Sequence, residues 1–158
     1  MAKLLIIYYS RSGNTEKMAR LVSEGAKEVE GVDVEVKKVG ETDIDDLLEA
    51  DGIIVGSPTY YGLPAAEIKD LFDRSVAYHG RLEGKVGGAF SSAANIGGGN
   101  ETTILSILQM MLIHGMIVKG TSSGDHYGPV SIGSPDRRVE RGCRELGRRV
   151  AELTTKLT

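Results

Sequence analysis

The sequence has no tryptophan, a single cysteine, four prolines and only 5% aromatic residues. With Cys143 alone no intramolecular disulfide can form, and a reducing, cytoplasmic setting is expected. No apolar run reaches the roughly 18 residues of a membrane-spanning helix, so an integral membrane segment is not expected. The opening MAKLLIIYYS is expected to be no signal peptide, because its apolar run is short and ends in polar turn residues. A net charge of −3 supplies no pull toward nucleic acid or an anionic bilayer, and neither is expected as a partner. No metal is expected. What remains is ordinary for a globule, with 41% hydrophobic and 26% charged residues. The length of 158 residues suits one domain spanning 1–158.

The hydrophobic period switches repeatedly along the chain. Lys3–Tyr9 is a continuous apolar run, the mark of a strand buried on both faces. After the turn residues Ser10–Asn14, the stripe Met18, Leu21, Val22, Gly25, Ala26 and Val29 follows a helical period. Val32–Val36 alternates as a strand, Asp43–Ala50 reads as a short helix, and Gly52–Gly56 as another buried strand. Pro64 suits the first position of a helix whose buried side is Ile68, Leu71, Phe72 and Val76. Val86–Phe90 is the fourth strand, Thr102–His114 a helix apolar nearly all round, and Met116–Lys119 the last strand. A long loop, Thr121–Ser134, leads to a final helix from about Pro135 with Val139, Cys143, Leu146, Val150, Leu153 and Leu157 inward. Five βα units in strict alternation predict a three-layer α/β fold, a five-stranded parallel sheet with helices on both faces. Right-handed crossovers leave few windings, of which the order 2-1-3-4-5 is the one expected.

In such a sheet ligands sit beyond the carboxyl ends of the strands at the switch in strand order, here the loops after strands one, three and four. The first, Ser10-Arg11-Ser12-Gly13-Asn14-Thr15, offers hydroxyls, an amide and a flexible Gly13 just where a helix begins, which suits an anion. The same residues would also serve as a plain helix cap. It is neither a GxxxxGK[ST] nor a GxGxxG turn. The second, Ser57-Pro58-Thr59-Tyr60-Tyr61-Gly62, holds two consecutive tyrosines that cannot both enter the core, so one can wall a flat ligand or pack on a helix. In the third, Ser91 to Asn100, small residues let a ligand lie against bare backbone, with N–H groups free for a polar ring edge, or simply allow a flexible turn. His114 ends an apolar helix before Gly115 and suits either a C-terminal cap or a place in the site. His126 and Tyr127 suit a lid or an ordinary loop. Six arginines in the last helix alternate with Glu140, Glu145 and Glu152 and read as an ion-paired face, while Cys143 reads as inert core. An acidic pocket of a receiver domain is missing, since the first and third strands end in Ser10 and Ser57. A low-molecular-weight phosphatase would need cysteine in the first loop.

With those loops in view, the sequence resembles the flavodoxin superfamily and, within it, the WrbA-type NAD(P)H:quinone oxidoreductases. The stretch MAKLLIIYYSRSGNTEKMARLVSEGAKEVEGVDVEVKKV, the segment GSPTYYG, the pair GGGNETT and HGM, and DHYGP carry the resemblance. It implies FMN as cofactor and NAD(P)H as co-substrate, with two electrons passed to a quinone. The phosphate falls to Ser10, Arg11, Ser12, Gly13, Asn14 and Thr15. Pro58, Thr59, Tyr60, Tyr61 and Gly62 lie against the ring and ribityl chain; Ser92, Ala93, Ala94, Asn95, Ile96 and Gly97 along the pyrimidine; and His114 at the flavin of its own or a neighbouring subunit. Tyr60, Tyr61, His114 and Tyr127 would shape the acceptor pocket. A homo-oligomer, dimer or tetramer, is implied, and the apolar helix Thr102–His114 suits such a contact. A flavodoxin-type one-electron carrier between protein partners is the alternative. The chain lacks the family's segment between the second strand and second helix, and carries Tyr78 and His79 where the family has tryptophan.

Overall fold

The apolar run at the start of the chain becomes β1 (Ala2–Tyr8), in which every residue but Lys3 is buried. In the computed structural model, which describes residues 1–158, this strand pairs in parallel with β2 (Val32–Lys38) on one side and β3 (Gly52–Tyr60) on the other. β3 pairs in turn with β5 (Val86–Ala93), and the outermost place is shared. β6 (Ile117–Val118) lies beside the start of β5 and β7 (Val130–Ile132) beside its end. The resulting order β2-β1-β3-β5-β6 is the expected winding with its fifth position split in two. The loop expected over Thr121–Ser134 therefore contains a strand, and residues 119–129 form an excursion on the outer edge.

Alternation along the strands builds two cores. Leu5, Ile7, Ile53, Val55 and Ala89 face one side, covered by α2 (Ile44–Glu49), α3 (Ala66–Arg74) and α4 (Asn100–Ile113). Leu4, Ile6, Tyr8, Ile54 and Phe90 face the other, covered by α1 (Asn14–Lys27) and α5 (Arg137–Leu157). α1 and α5 cross with two glycines at the contact. A Cβ on Gly25 would overlap the carbonyl of Arg144, and one on Gly147 the carbonyl of Val22. Cys143 is fully buried in this layer, as its place in the apolar stripe implies, and burial pushes its thiol up to about 12. Four of the α5 arginines pair, two of them across the crossing, Arg144 with Glu24 and Arg148 with Glu28, and two elsewhere, Arg138 with Asp125 and Arg149 with Glu145. No helix is long and apolar enough to cross a membrane.

Two expectations about the third helix need correction. Pro64 does not open it; Leu63–Pro64 forms a small strand, β4, antiparallel to the end of β3, and the helix starts at Ala66. Proline is tolerated there because an edge pairing needs few donors. Val76 is not on the buried side either, since the helix tightens into a 3-10 turn at Ser75–Tyr78 and leaves that side chain 71% exposed.

Candidate functional site

α1 starts without a side-chain cap. Its N-cap is Gly13, in a left-handed conformation (φ 102°) that an L side chain rarely adopts, and no side chain bonds the first-turn N–H groups. Contrast α5, where the Asp136 carboxylate accepts from the Val139 amide at 2.9 Å. The alternative reading of Ser10–Thr15 as an ordinary helix cap thus has no contact behind it. Ser10 Oγ accepts from the Gly13 amide at 3.1 Å and so shapes the turn. The side chains of Arg11 and Ser12 are exposed at the rim, with Gly13 and Asn14 half-buried. A bare helix N-terminus with its dipole directed outward and hydroxyls beside it can hold a phosphate ester.

The second loop is a β-hairpin. Thr59 pairs with Pro64 and Tyr60 with Leu63, leaving Tyr61 and Gly62 as a two-residue turn with φ of 50° and 78°. Positive φ at both central residues is the type I′ pattern that matches strand twist, but a tyrosine there is strained. Its ring gains nothing from the core in return: Tyr61 is fully exposed. Tyr60 stands edge-on to Tyr9, with ring centroids 6.2 Å apart. Burial, with Tyr9 next to it, raises the Tyr60 phenol above its ordinary range, so it stays protonated and able to donate.

Polar side chains bind the loops to one another. Thr15 Oγ1 and Ser92 Oγ, both buried, are hydrogen-bonded at 2.9 Å, which fixes the first loop to the third. From the start of α4, Thr102 Oγ1 donates to the Gly62 carbonyl at 2.9 Å and Thr103 Oγ1 to Thr59 Oγ1 at 3.1 Å, which fixes the hairpin. Asn100 Nδ2 donates to the Ser131 carbonyl at 3.2 Å, and the Gly133 amide to Ala93 O at 2.9 Å, so the end of β7 closes the rim. Between these anchors Ala94, Asn95, Ile96 and Gly97 stand exposed, Ile96 at 87%. An exposed isoleucine and an exposed tyrosine flanking an anion seat are surfaces that a flat ring would cover.

The structure thus brings Ser10–Thr15, Pro58–Gly62 and Ser92–Gly97 to one rim, and leaves two expected residues away from it. His114 terminates α4, whose 14 residues run back from the rim for about 21 Å. There its Nε2 meets Ser75 Oγ at 2.7 Å and the residue is 6% exposed, so it does not reach the rim of its own chain. The cap reading of this histidine is the one realised. Tyr127 lies in the excursion next to Gly128, which packs on the Ala89 carbonyl in the middle of β5. That point is four residues, about 13 Å, below the end of the strand. Among residues the sequence reading passes over, Thr102 and Thr103 are signalled by the hydroxyls that follow Gly97-Gly98-Gly99. Ser131 carries no such signal, because a strand as short as β7 leaves none in the sequence.

An open parallel sheet whose strand order reverses beside β1, with an uncapped helix start and an aromatic hairpin there, defines the flavodoxin-like class of α/β proteins. Comparison with known proteins agrees. The family model described as Flavodoxin matches residues 6–102, more than half of the chain. A protein named "Flavodoxin" from Aquifex aeolicus (strain VF5) is 46% identical over 96% of this chain and 86% of its own length. One named "NAD(P)H dehydrogenase (quinone)" from Archaeoglobus fulgidus is 36% identical over 99% of this chain and all of the relative. The solved "flavodoxin, WrbA-like protein from Agrobacterium tumefaciens" superposes with a TM-score of 0.85 at 26% identity, covering 100% of both chains. The chain belongs to the flavodoxin family, on the side of its WrbA-type members, and is a flavodoxin-like flavoprotein.

Proposed function

We propose that the rim binds FMN and that the protein passes two electrons from NAD(P)H to a quinone. The observation that carries the reading is the bare start of α1, with Gly13 as N-cap and no side chain on its first N–H groups. FMN, when bound, supplies the redox chemistry itself. The chain's part is to hold and orient it. First-turn amides of α1 with Ser10, Ser12, Asn14 and Thr15 would hold the phosphate, and Arg11 would add charge at the edge. Pro58, Thr59, Tyr60, Tyr61 and Gly62 wall the ring, and backbone N–H groups from Ser92 to Gly97 meet its polar edge. Nicotinamide and quinone, as two flat substrates, would share in turn one aromatic site beside Tyr60 and Tyr61. His114 and Tyr127 stand away from this rim within the same chain.

The name of the Archaeoglobus relative supports this acceptor. The single buried Cys143 fits a reducing cytoplasm. A second copy of the chain would cover the apolar strip of Leu63, Leu105, Leu112 and Ile113 beside α4, all of which are exposed, and light scattering reads that directly. Apoprotein titrated with FMN should quench its fluorescence at micromolar concentration, and the loaded protein should consume NADH or NADPH only when benzoquinone is present. FMN uptake with no oxidation of either nicotinamide by any quinone would reject the enzyme while keeping the flavoprotein. The relative named "Flavodoxin" favours a second reading in that event, a carrier of single electrons between proteins. Photoreduction in two resolved steps marks the carrier, and bleaching in one step the enzyme.

A further inference from the structure

A polar cavity of about 310 Å³ lies on the outer edge of the sheet, between the 119–129 excursion and α5. From α5 it takes Arg138, Arg141, Glu145 and Arg149, spaced by three or four residues and so on one helix face; from the excursion it takes Thr121, Ser123 and Asp125. Its size falls within the range of small-molecule sites. Its charges do not cancel. Arg138 is satisfied, since Nη1 donates to both oxygens of Asp125 at 2.7 and 2.8 Å and Nη2 to the Val130 carbonyl at 3.0 Å. That pair ties the excursion to the helix and forms one wall. Arg149 is different. Its side chain is 11% exposed, its nearest carboxylate oxygen, on Glu145, stands 3.6 Å from Nη1, and its Nε is buried with no partner at all. Arg141 has no carboxylate partner at all, and is exposed at the mouth.

Three arginines against two carboxylates leave one positive charge, and that surplus sits where donors lack acceptors. Buried donors are almost always paired, and Arg149, which lines the cavity, makes no hydrogen bond within the chain, so the part of its guanidinium that faces the cavity is free for an acceptor from outside. Burial also lowers the Arg149 pKa, an unfavourable cost to its charge that an anion alongside would offset. Guanidinium groups from two turns of a helix, with hydroxyls opposite, approach from several directions; a tetrahedral oxyanion offers acceptors in all of them, a planar carboxylate in only one plane.

We propose that this cavity is a second anion site, in which Arg149 and Arg141 hold a small ligand of the phosphate class with Thr121 and Ser123 beside it. Arg149 lies about 18 Å down α5 from its first residue, so occupancy does not compete with the rim.

The test uses FMN-loaded protein, with pyrophosphate as probe and sodium chloride at equal ionic strength as control. The side-chain Nε–H resonance of Arg149, assigned by its loss in Arg149→Lys, should move saturably with pyrophosphate and stay fixed in chloride, while the flavin absorption is unchanged. Arg141→Gln, a change at an exposed position, should weaken that titration about tenfold. A resonance that never moves, or moves equally in chloride, overturns the proposal. So does pyrophosphate that expels the flavin while the resonance stays still, or an Arg141→Gln protein that titrates like the parent.

Discussion

Adding one methyl group at Gly147 tests whether close packing of α1 on α5 outweighs helix propensity. Propensity alone favours the change: alanine in a helix interior is about 1 kcal/mol better than glycine. The packing says the reverse. The new Cβ would overlap the Val22 carbonyl and approach Ala26 N at 2.8 Å, both backbone atoms that no rotamer can move aside. The helices must part, loosening Val22, Ala26, Leu146, Val150 and Ala151, all buried between them and the sheet. Overpacking of this kind costs about 1–3 kcal/mol, and a rigid backbone partner places it near the top. A loss of about 3 less a gain of about 1 leaves Gly147→Ala about 2 kcal/mol less stable, or about 4–8 °C lower in Tm for a chain of this size. Urea denaturation of the apoprotein at constant slope is the assay. Gly25→Ala meets the same crossing from the other helix, at the Arg144 carbonyl, so the double variant should lose less than the two singles summed, because helices already parted have room. A Gly147→Ala protein as stable as the parent or more so would refute the close-packing argument.

Tyr61→Gly removes both the strained φ and the exposed ring; the apoprotein should hold or gain about 1 kcal/mol, while FMN binds about tenfold more weakly, seen by fluorescence titration. Equal FMN affinity would remove Tyr61 from the ring wall. Cys143 should resist iodoacetamide until global unfolding, and because its folded thiol ionises only near 12, stability should fall as pH rises from the ordinary cysteine range toward that value. Burial, then His79, lowers the His114 pKa, so the unfolded chain binds its proton first. Stability is thus full above about 6.5 and declines as pH falls from there through the folded value. In the His114→Gln variant the urea midpoint should decline less over that window, and an identical decline would assign it to other groups.

Much of the fold is written in periodicity, because a strand buried on both faces and an amphipathic helix have unlike patterns. Lys3–Tyr9 and the Met18–Val22–Ala26 stripe could hardly be anything else, and from five such units the winding follows. The split fifth position is not legible: Val130–Ile132 is three residues long, and only pairing with Ser91–Ala93 makes it a strand. The hairpin is hidden for a related reason. Tyr61-Gly62 is an unusual pair for a type I′ turn, and Pro64 looks like a helix start until β3 is seen to extend to meet it. At the site, the three loops stand out by composition, since glycine and hydroxyls between a buried strand and a helix have few other uses. His114 is misplaced by its motif, which gives position along the chain and says nothing about which end of a helix faces the ligand.

Direction along α4 in fact decides what each of its ends can do. Its first turn lies at the rim and is spent on fastening: Asn100, Thr102 and Thr103 reach three separate segments, the strand after the excursion, the turn of the hairpin and its base. Hydroxyl and amide bonds of this kind contribute little net stability each, because water would satisfy the same groups in the unfolded chain. Their effect is geometric. They hold the strained Tyr61 turn, the base of the hairpin and the end of β7 in place before any ligand arrives, so less ordering remains to be done on binding. A rim assembled this way should lose ligand affinity before it loses fold when Thr102 becomes valine, since that variant loosens the turn of the hairpin, leaves its base tied by Thr103, and touches neither core.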